Sequence, residues 1–186
     1  MKELTQSRKT RYTKTVIKNS LIELMREKPI SKITIKELCE NADINRTTFY
    51  AHYSNQYDLL RQIENETLAW CKEIILDLSI KTDKDEMINN LERVFNYISE
   101  NRNHVQVIMS EQGDINFQKK LITLIYEQFG ILPQMDRGGD LVTRELYFTF
   151  AIYGSIGLIQ HWLKSGLNKS TKEMAEIIYS MSYRIR

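Results

Sequence analysis

Chain breakers are scarce in this sequence. Of 186 residues only 7 are glycine and 2 are proline, Pro29 and Pro133. That is too little turn chemistry for a fold of many short strands, and it favours long helices. Cys39 and Cys71 are the only thiols. Both sit in apolar helical patterns, which excludes a disulfide scaffold and suggests free thiols in a reducing compartment, so a cytoplasmic location is expected. Three histidines, His52, His104 and His161, complete a thin stock of catalytic groups. They make no zinc-ligand spacing with the cysteines, and no phosphate loop, G-x-S-x-G or G-x-G-x-x-G occurs. No metal, no cofactor and no enzymatic activity is expected.

A secretory leader is also not expected, because the opening residues have no apolar core with a small-residue cleavage site. One stretch of 18 residues, 146–163, lacks a formal charge. Thr149, Ser155, Gln160 and His161 within it argue against a membrane span and for a helix enclosed by protein.

What the chain does contain is the balance of a globular protein: 42% hydrophobic and 27% charged residues. Its net charge of +2 conceals an asymmetry. Residues 1–61 hold 12 basic and 7 acidic residues, and residues 62–186 hold 14 and 17. A basic first third suits a polyanion, although on charge alone a solvated helix face accounts for it as well.

Periodicity predicts helices throughout. The first runs from about Thr13 to Glu27 and is stopped by Pro29. The second is opened by Thr34, with Glu37 at capping-box spacing. Asn45 caps a third, to about Tyr53, and Ser54 or Asn55 caps a long fourth that passes residue 74. Further helices are expected at about 84–100, 103–110, 115–129, 140–165 and 171–184, the last with Ser170 and Glu173 in a second capping-box spacing. The β-branched run "SKITI" at 31–35 could instead form a brief strand. The expected division is a domain at 1–56 and a second at 57–186.

The stretch "TIKELCENADINRTTFYAHYSNQYDLL", residues 34–60, sets two short helices around a tight turn with a third helix before them, the arrangement of a helix-turn-helix. At 100° per residue, Phe49 and Tyr53 share one side of the third helix, and Thr47, Tyr50 and Ala51 the other. With Arg46 in its first turn, that outer side can meet base edges and phosphates.

This stretch resembles the signature of the TetR family of bacterial transcriptional regulators over about residues 10–62. The resemblance implies an all-α fold, in which an N-terminal three-helix helix-turn-helix DNA-binding domain is joined by a long helix to a C-terminal helical ligand-binding and dimerisation domain. It implies that 46–53 is the recognition helix, following its Asn45 cap. Arg46, Thr47 and Tyr50 fall at positions for base contacts, while Thr48, Tyr50 and His52 fall near phosphates. Thr34 and Lys36, at the start of the second helix, match phosphate-contacting positions. Asp43 stands where the family usually has glycine, and Gln56 where it usually has lysine; Lys9, Arg11, Lys14 and Lys18 supply positive charge nearby.

The partners expected are a double-stranded DNA operator, a second copy of the chain and a small-molecule effector, with no membrane. A homodimer is expected through the last two helices, at Phe148, Phe150, Gly154, Gly157, Ile177 and Met181. Trp70, Phe95, His104, Met109, Tyr126 and Trp162 are the candidate lining of an effector pocket, although at helical spacing each is more often plain core. A repressor is the expected role. The rival is a helical coregulator that binds a partner protein instead of DNA.

Overall fold

The computed structural model describes residues 8–79, 83–110, 115–129 and 140–183. Within them the chain is a succession of α-helices with no strand. Helix α1, Arg8–Glu27, buries Ile17, Leu21, Ile22, Leu24 and Met25. It begins a turn and a half before the expected Thr13. That extra length is polar and carries no apolar stripe; Thr13 and Thr15 each donate to the carbonyl four residues back, at 2.9 and 3.0 Å.

After Pro29 the run 30–32 forms a 3-10 turn, Ile30–Lys32, which settles the strand alternative against a strand. Ile33 then plugs into the core. Helix α2, Ile35–Asn41, starts where Thr34 Oγ1 accepts the Glu37 amide at 3.2 Å. The expected capping box is only half made, because the Glu37 carboxylate takes Lys28 as its partner. That ammonium, through the hydrogen bond above all, holds the Glu37 carboxyl below its ordinary pKa.

Helix α3, Arg46–Tyr50, is shorter than expected, and residues 51–53 leave it in a turn that returns the His52 and Tyr53 amides to the Phe49 carbonyl. Helix α4, Gln56–Ser79, is fixed at its start by a reciprocal pair: Asn55 Oδ1 accepts the Asp58 amide at 2.9 Å, and the Asp58 carboxylate accepts the Ser54 amide at 3.0 Å. Then come α5, Lys84–Glu100, capped by Asp83; α6, Arg102–Ile108; α7, Ile115–Phe129; α8, Leu141–Lys164, capped by Asp140; and α9, Thr171–Tyr183. Residue 184, the expected end of α9, lies outside the described residues.

Helix α5 lies along α9, α4 packs against α5 and α7, and α1 is shared among α2, α4 and α6. A single apolar cluster therefore runs from Ile17 of α1 through Phe49 and Phe95 to Ile178 of α9. Two cross-links stiffen the front. Ser20 Oγ donates to the Leu38 carbonyl at 3.0 Å, tying α1 to α2, and Lys18 pairs with Glu66, tying α1 to α4. At the back, Trp162 is buried edge-to-face against Phe95, with ring centroids 5.4 Å apart, and its indole N–H donates to the Lys169 carbonyl at 3.0 Å. Among the described residues no helix is long and apolar enough to cross a membrane.

At the start of α9 the capping box is complete: Ser170 Oγ accepts the Glu173 amide at 3.2 Å, and Glu173 accepts the Ser170 amide at 2.8 Å. Those bonds, the Ser170 amide foremost, lower the Glu173 pKa from its ordinary 4.5 to about 2. A carboxyl depressed in the folded state stabilises above its unfolded pKa, and that stabilisation is lost as pH falls through the folded value. Acid titration of stability should therefore show a loss from about pH 4.5 down to about pH 2 that Glu173→Gln does not share, measured by urea midpoints across that window.

Candidate functional site

The turn between α2 and α3 takes its shape from Asp43, whose φ of 51° is left-handed. Aspartate is among the few side chains that tolerate this region, so the residue standing in glycine's usual place makes the same turn at some cost. The turn closes through the Ile44 amide to the Cys39 carbonyl at 3.0 Å, and Ile44 packs on the core. Asn45 Oδ1 then accepts both the Thr48 amide at 2.8 Å and the Thr48 hydroxyl at 2.9 Å.

With its entry fixed in this way, α3 presents two unlike sides. Phe49 is completely buried, and Tyr53 just beyond the helix is nearly so, its ring 5.8 Å from that of Phe49. Burial pushes the Tyr53 phenol up to about 12. Arg46, Thr47 and Ala51 are exposed. Tyr50 is 56% exposed and rests edge-on against Phe49 at 5.5 Å. Outward hydroxyl, methyl, ring and guanidinium thus share one surface, the combination that can bond guanine, touch a thymine methyl and reach phosphate.

The other expected contacts are less uniform. Thr34 is exposed at the start of α2. Lys36 is exposed but lies 3.7 Å from Glu40, whereas Arg46 makes no ion pair among the described residues. Asn45 and Thr48 spend their bonds on the cap. His52 and Gln56 are half-buried at the two ends of the link from α3 to α4. Of the four nearby cations, Lys9 and Arg11 are exposed and Lys14 is half-buried, but Lys18 faces inward to Glu66. Tyr57, in the first turn of α4, is exposed as well.

Behind this surface, α4 to α9 enclose a cavity of about 230 Å³, partly open to solvent. Trp70, Phe95 and Met109 line it. His104 and Trp162 do not. His104 turns away, its Nε2 3.3 Å from Thr67 Oγ1, and burial, with Lys18 second, lowers its pKa. Trp162 belongs to the packed corner between α8 and α9. The side chain of Tyr126 lies outside the described residues.

The cavity's polar wall residues, Thr67, Tyr97 and Ser155, were missed. Tyr97 is stacked on Trp70 at 3.8 Å with planes 15° apart, a juxtaposition across helices that spacing along one helix cannot reveal. Burial raises the Cys39 thiol, and pushes that of Cys71, in the cavity wall, up to about 12, so both stay protonated at neutral pH.

Helix α8 turns a second apolar side to solvent. Val142, Leu146, Phe150 and Tyr153 are exposed, Leu146 and Phe150 at 65% and 66%. Gly154 and Gly157 continue the stripe, and a Cβ built on either would meet nothing within 4 Å. These positions fall within about 120° of the helix surface. Two expected members do not share it. Phe148 is only 9% exposed and faces the cavity, on the other side of α8, and Ile177 packs on the core. Met181 of α9 is exposed.

Comparison with known proteins agrees with this architecture. Residues 19–63 match the pattern of "Bacterial regulatory proteins, tetR family", and residues 85–184 that of a "Transcriptional regulator C-terminal region". A curated relative, the uncharacterized HTH-type transcriptional regulator YxbF of Bacillus subtilis (strain 168), is 18% identical over 168 residues, 89% of this chain but 43% of that protein. The chain thus spans less than half the length of that relative. Among solved structures, NalD, the secondary repressor of the MexAB-OprM multidrug efflux pump in Pseudomonas aeruginosa, superposes with a TM-score of 0.69 at 18% identity, covering 96% of this chain and 97% of its own. The transcriptional regulator FadR from Bacillus subtilis, solved with stearoyl-CoA, gives 0.64 at 14%, covering 92% and 99%. At such identities the likeness is one of fold.

Asp43→Gly should relieve the left-handed backbone without moving α3. A gain of about 1 kcal/mol is expected, read as a higher urea midpoint at unchanged slope.

Proposed function

The chain belongs to the TetR family of bacterial regulatory proteins, and from that premise we propose that it represses transcription in the cytoplasm, holding a palindromic operator as a homodimer and releasing it when a small molecule fills the cavity. The observation that carries this reading is the orientation of α3, with Phe49 locked inside and Arg46, Thr47 and Tyr50 left facing out. Thr34 and Lys36 at the start of α2 flank that surface as phosphate contacts, and the Lys36–Glu40 pair is too exposed to prevent it.

A helix of five residues reads only a few base pairs, so a two-fold dimer reaching half-sites about 34 Å apart suits the need. The solvent-facing stripe of α8, with Leu146, Phe150, Tyr153 and the two glycines, is the surface proposed for that contact, together with Met181. The glycines let a partner helix come close, and the aromatic rings supply area to bury.

Release needs a state in which the two α3 helices no longer match successive grooves. Helix α4 starts beside α3 and forms one wall of the cavity, while α6, another wall, packs on α1. A molecule that fits the cavity better when α4 is displaced would shift the population away from the DNA-binding arrangement, by no more than its difference in affinity for the two states. This step makes no bond and calls for no metal or cofactor.

Selection of bound fragments from random DNA tests the reading, which expects a palindrome. Arg46→Ala should cost about 1 to 3 kcal/mol on the selected site and much less on random DNA, whereas Lys36→Ala should weaken both and reduce the salt slope by about 1. Should wild type and both variants leave a DNA column together at low salt, the coregulator reading replaces this one. Phe150→Asp should convert the dimer to monomers in sedimentation and lower operator affinity, with the helical content kept.

A further inference from the structure

The walls of the cavity restrict what can occupy it. Among the described residues the lining holds no aspartate, glutamate, lysine, arginine or histidine, and no side-chain amide. Its few polar groups stay neutral near pH 7. Burial pushes the Cys71 thiol up to about 12 and raises the Tyr97 phenol above its ordinary value. Thr67 Oγ1 donates its proton to the Ile63 carbonyl one turn back, at 3.0 Å. An ion that entered would shed its water and meet no counter-charge.

The walls are also stiff. Nine isoleucines and five aromatic side chains line the space, against one methionine, Met109. β-branched side chains have few χ1 choices, whereas methionine is the residue that lets a surface repack around unlike guests. Two of the rings, Trp70 and Tyr97, hold each other in a stack with centroids 3.8 Å apart. A container of this kind selects by volume. A dry apolar cavity of about 150 Å³ holds benzene, so one of about 230 Å³ takes roughly nine non-hydrogen atoms.

We infer that the cavity takes an uncharged, mainly hydrocarbon molecule about the size of a substituted benzene ring, held by burial against the isoleucine and aromatic walls, and that it rejects ions of the same size. This assignment rests on the effector reading proposed above and names the class of effector. Carboxylates and amines that would fit by volume are excluded by their charge, and larger hydrocarbons gain nothing from the atoms that the cavity leaves outside.

Calorimetry on the full chain at pH 7 tests it with toluene, ethylbenzene, propylbenzene and pentylbenzene, and with two ions close to propylbenzene in size, 2-phenylethylammonium and phenylacetate. The expected result is one propylbenzene per chain, with affinity rising about fourfold per added methylene from toluene to propylbenzene and then levelling off. Both ions should bind about a hundredfold or more weakly than propylbenzene. Ala151→Leu enlarges a side chain of the wall, so it should weaken propylbenzene by about tenfold or more and toluene by less, which also reports an intact cavity. Leu121→Trp makes the same test from α7 should that variant not fold. Either ion bound within about tenfold of propylbenzene, affinity still climbing at the same rate to pentylbenzene, no binding of propylbenzene up to its solubility, or folded filling variants that bind as wild type does would each overturn the assignment. Retention on DNA is measured with and without propylbenzene. If propylbenzene binds while DNA retention is absent or unaltered by it, the effector reading falls and the ligand class stands; if the free chain is retained on DNA and no uncharged probe binds, the ligand class alone is rejected.

Discussion

A helix of five residues cannot hold itself together in water, since one turn of hydrogen bonds does not cover the cost of nucleation. The direction in which α3 faces is therefore imposed from outside, and the burial of Phe49 imposes it. Three further contacts leave it no freedom: the left-handed turn at Asp43, the Asn45 cap, and Tyr53 packed behind the same ring. Rotating α3 by half a turn would put Thr47 and Ala51 against the core and a phenylalanine in water. The outward chemistry of Arg46, Thr47 and Tyr50 is the complement of that inward constraint.

Helix α4 connects this surface to the rest of the molecule. Its first residue, Gln56, follows closely on α3, its middle residues from Thr67 onward form a wall of the cavity, and Glu66 between them is tied to α1 through Lys18. Helix α1 in turn is packed on α6, another wall. Two routes thus lead from the cavity to the recognition helix, and both pass through α1 or α4. His104, expected in the cavity, sits instead on the side of α6 that meets Thr67 near Lys18, where it belongs to the joint and not to the container.

The sequence made the helical succession legible because each buried side is written as an apolar stripe and most starts carry a cap: Thr34, Asn45, Asn55 and Ser170 all do what their spacing suggested. It failed where no stripe exists, as in the polar first turns of α1, and where two partners compete for one group, as when Lys28 takes the carboxylate of Glu37 from its capping box. At the candidate interface the inward and outward sides of α3 could be separated by angle alone, since Phe49 and Tyr50 lie far apart around the helix. In α8 they could not. Apolar residues occupy both of its sides, so nothing in the pattern tells that Phe148 faces the cavity while Leu146 and Phe150 face water. The stack of Tyr97 on Trp70 was out of reach altogether, because it joins two helices across 27 positions of sequence.

Among the described residues one apolar cluster reaches from the front of the molecule to the back. Side chains from α1, α3, α5 and α9 belong to one connected cluster, so neither end can open far without wetting the other. Amides deep in α1 should accordingly share their slowest opening with those of α5, as members of one cooperative unit. A guest lodged toward the rear would then retard deuterium uptake in front, at positions it never touches.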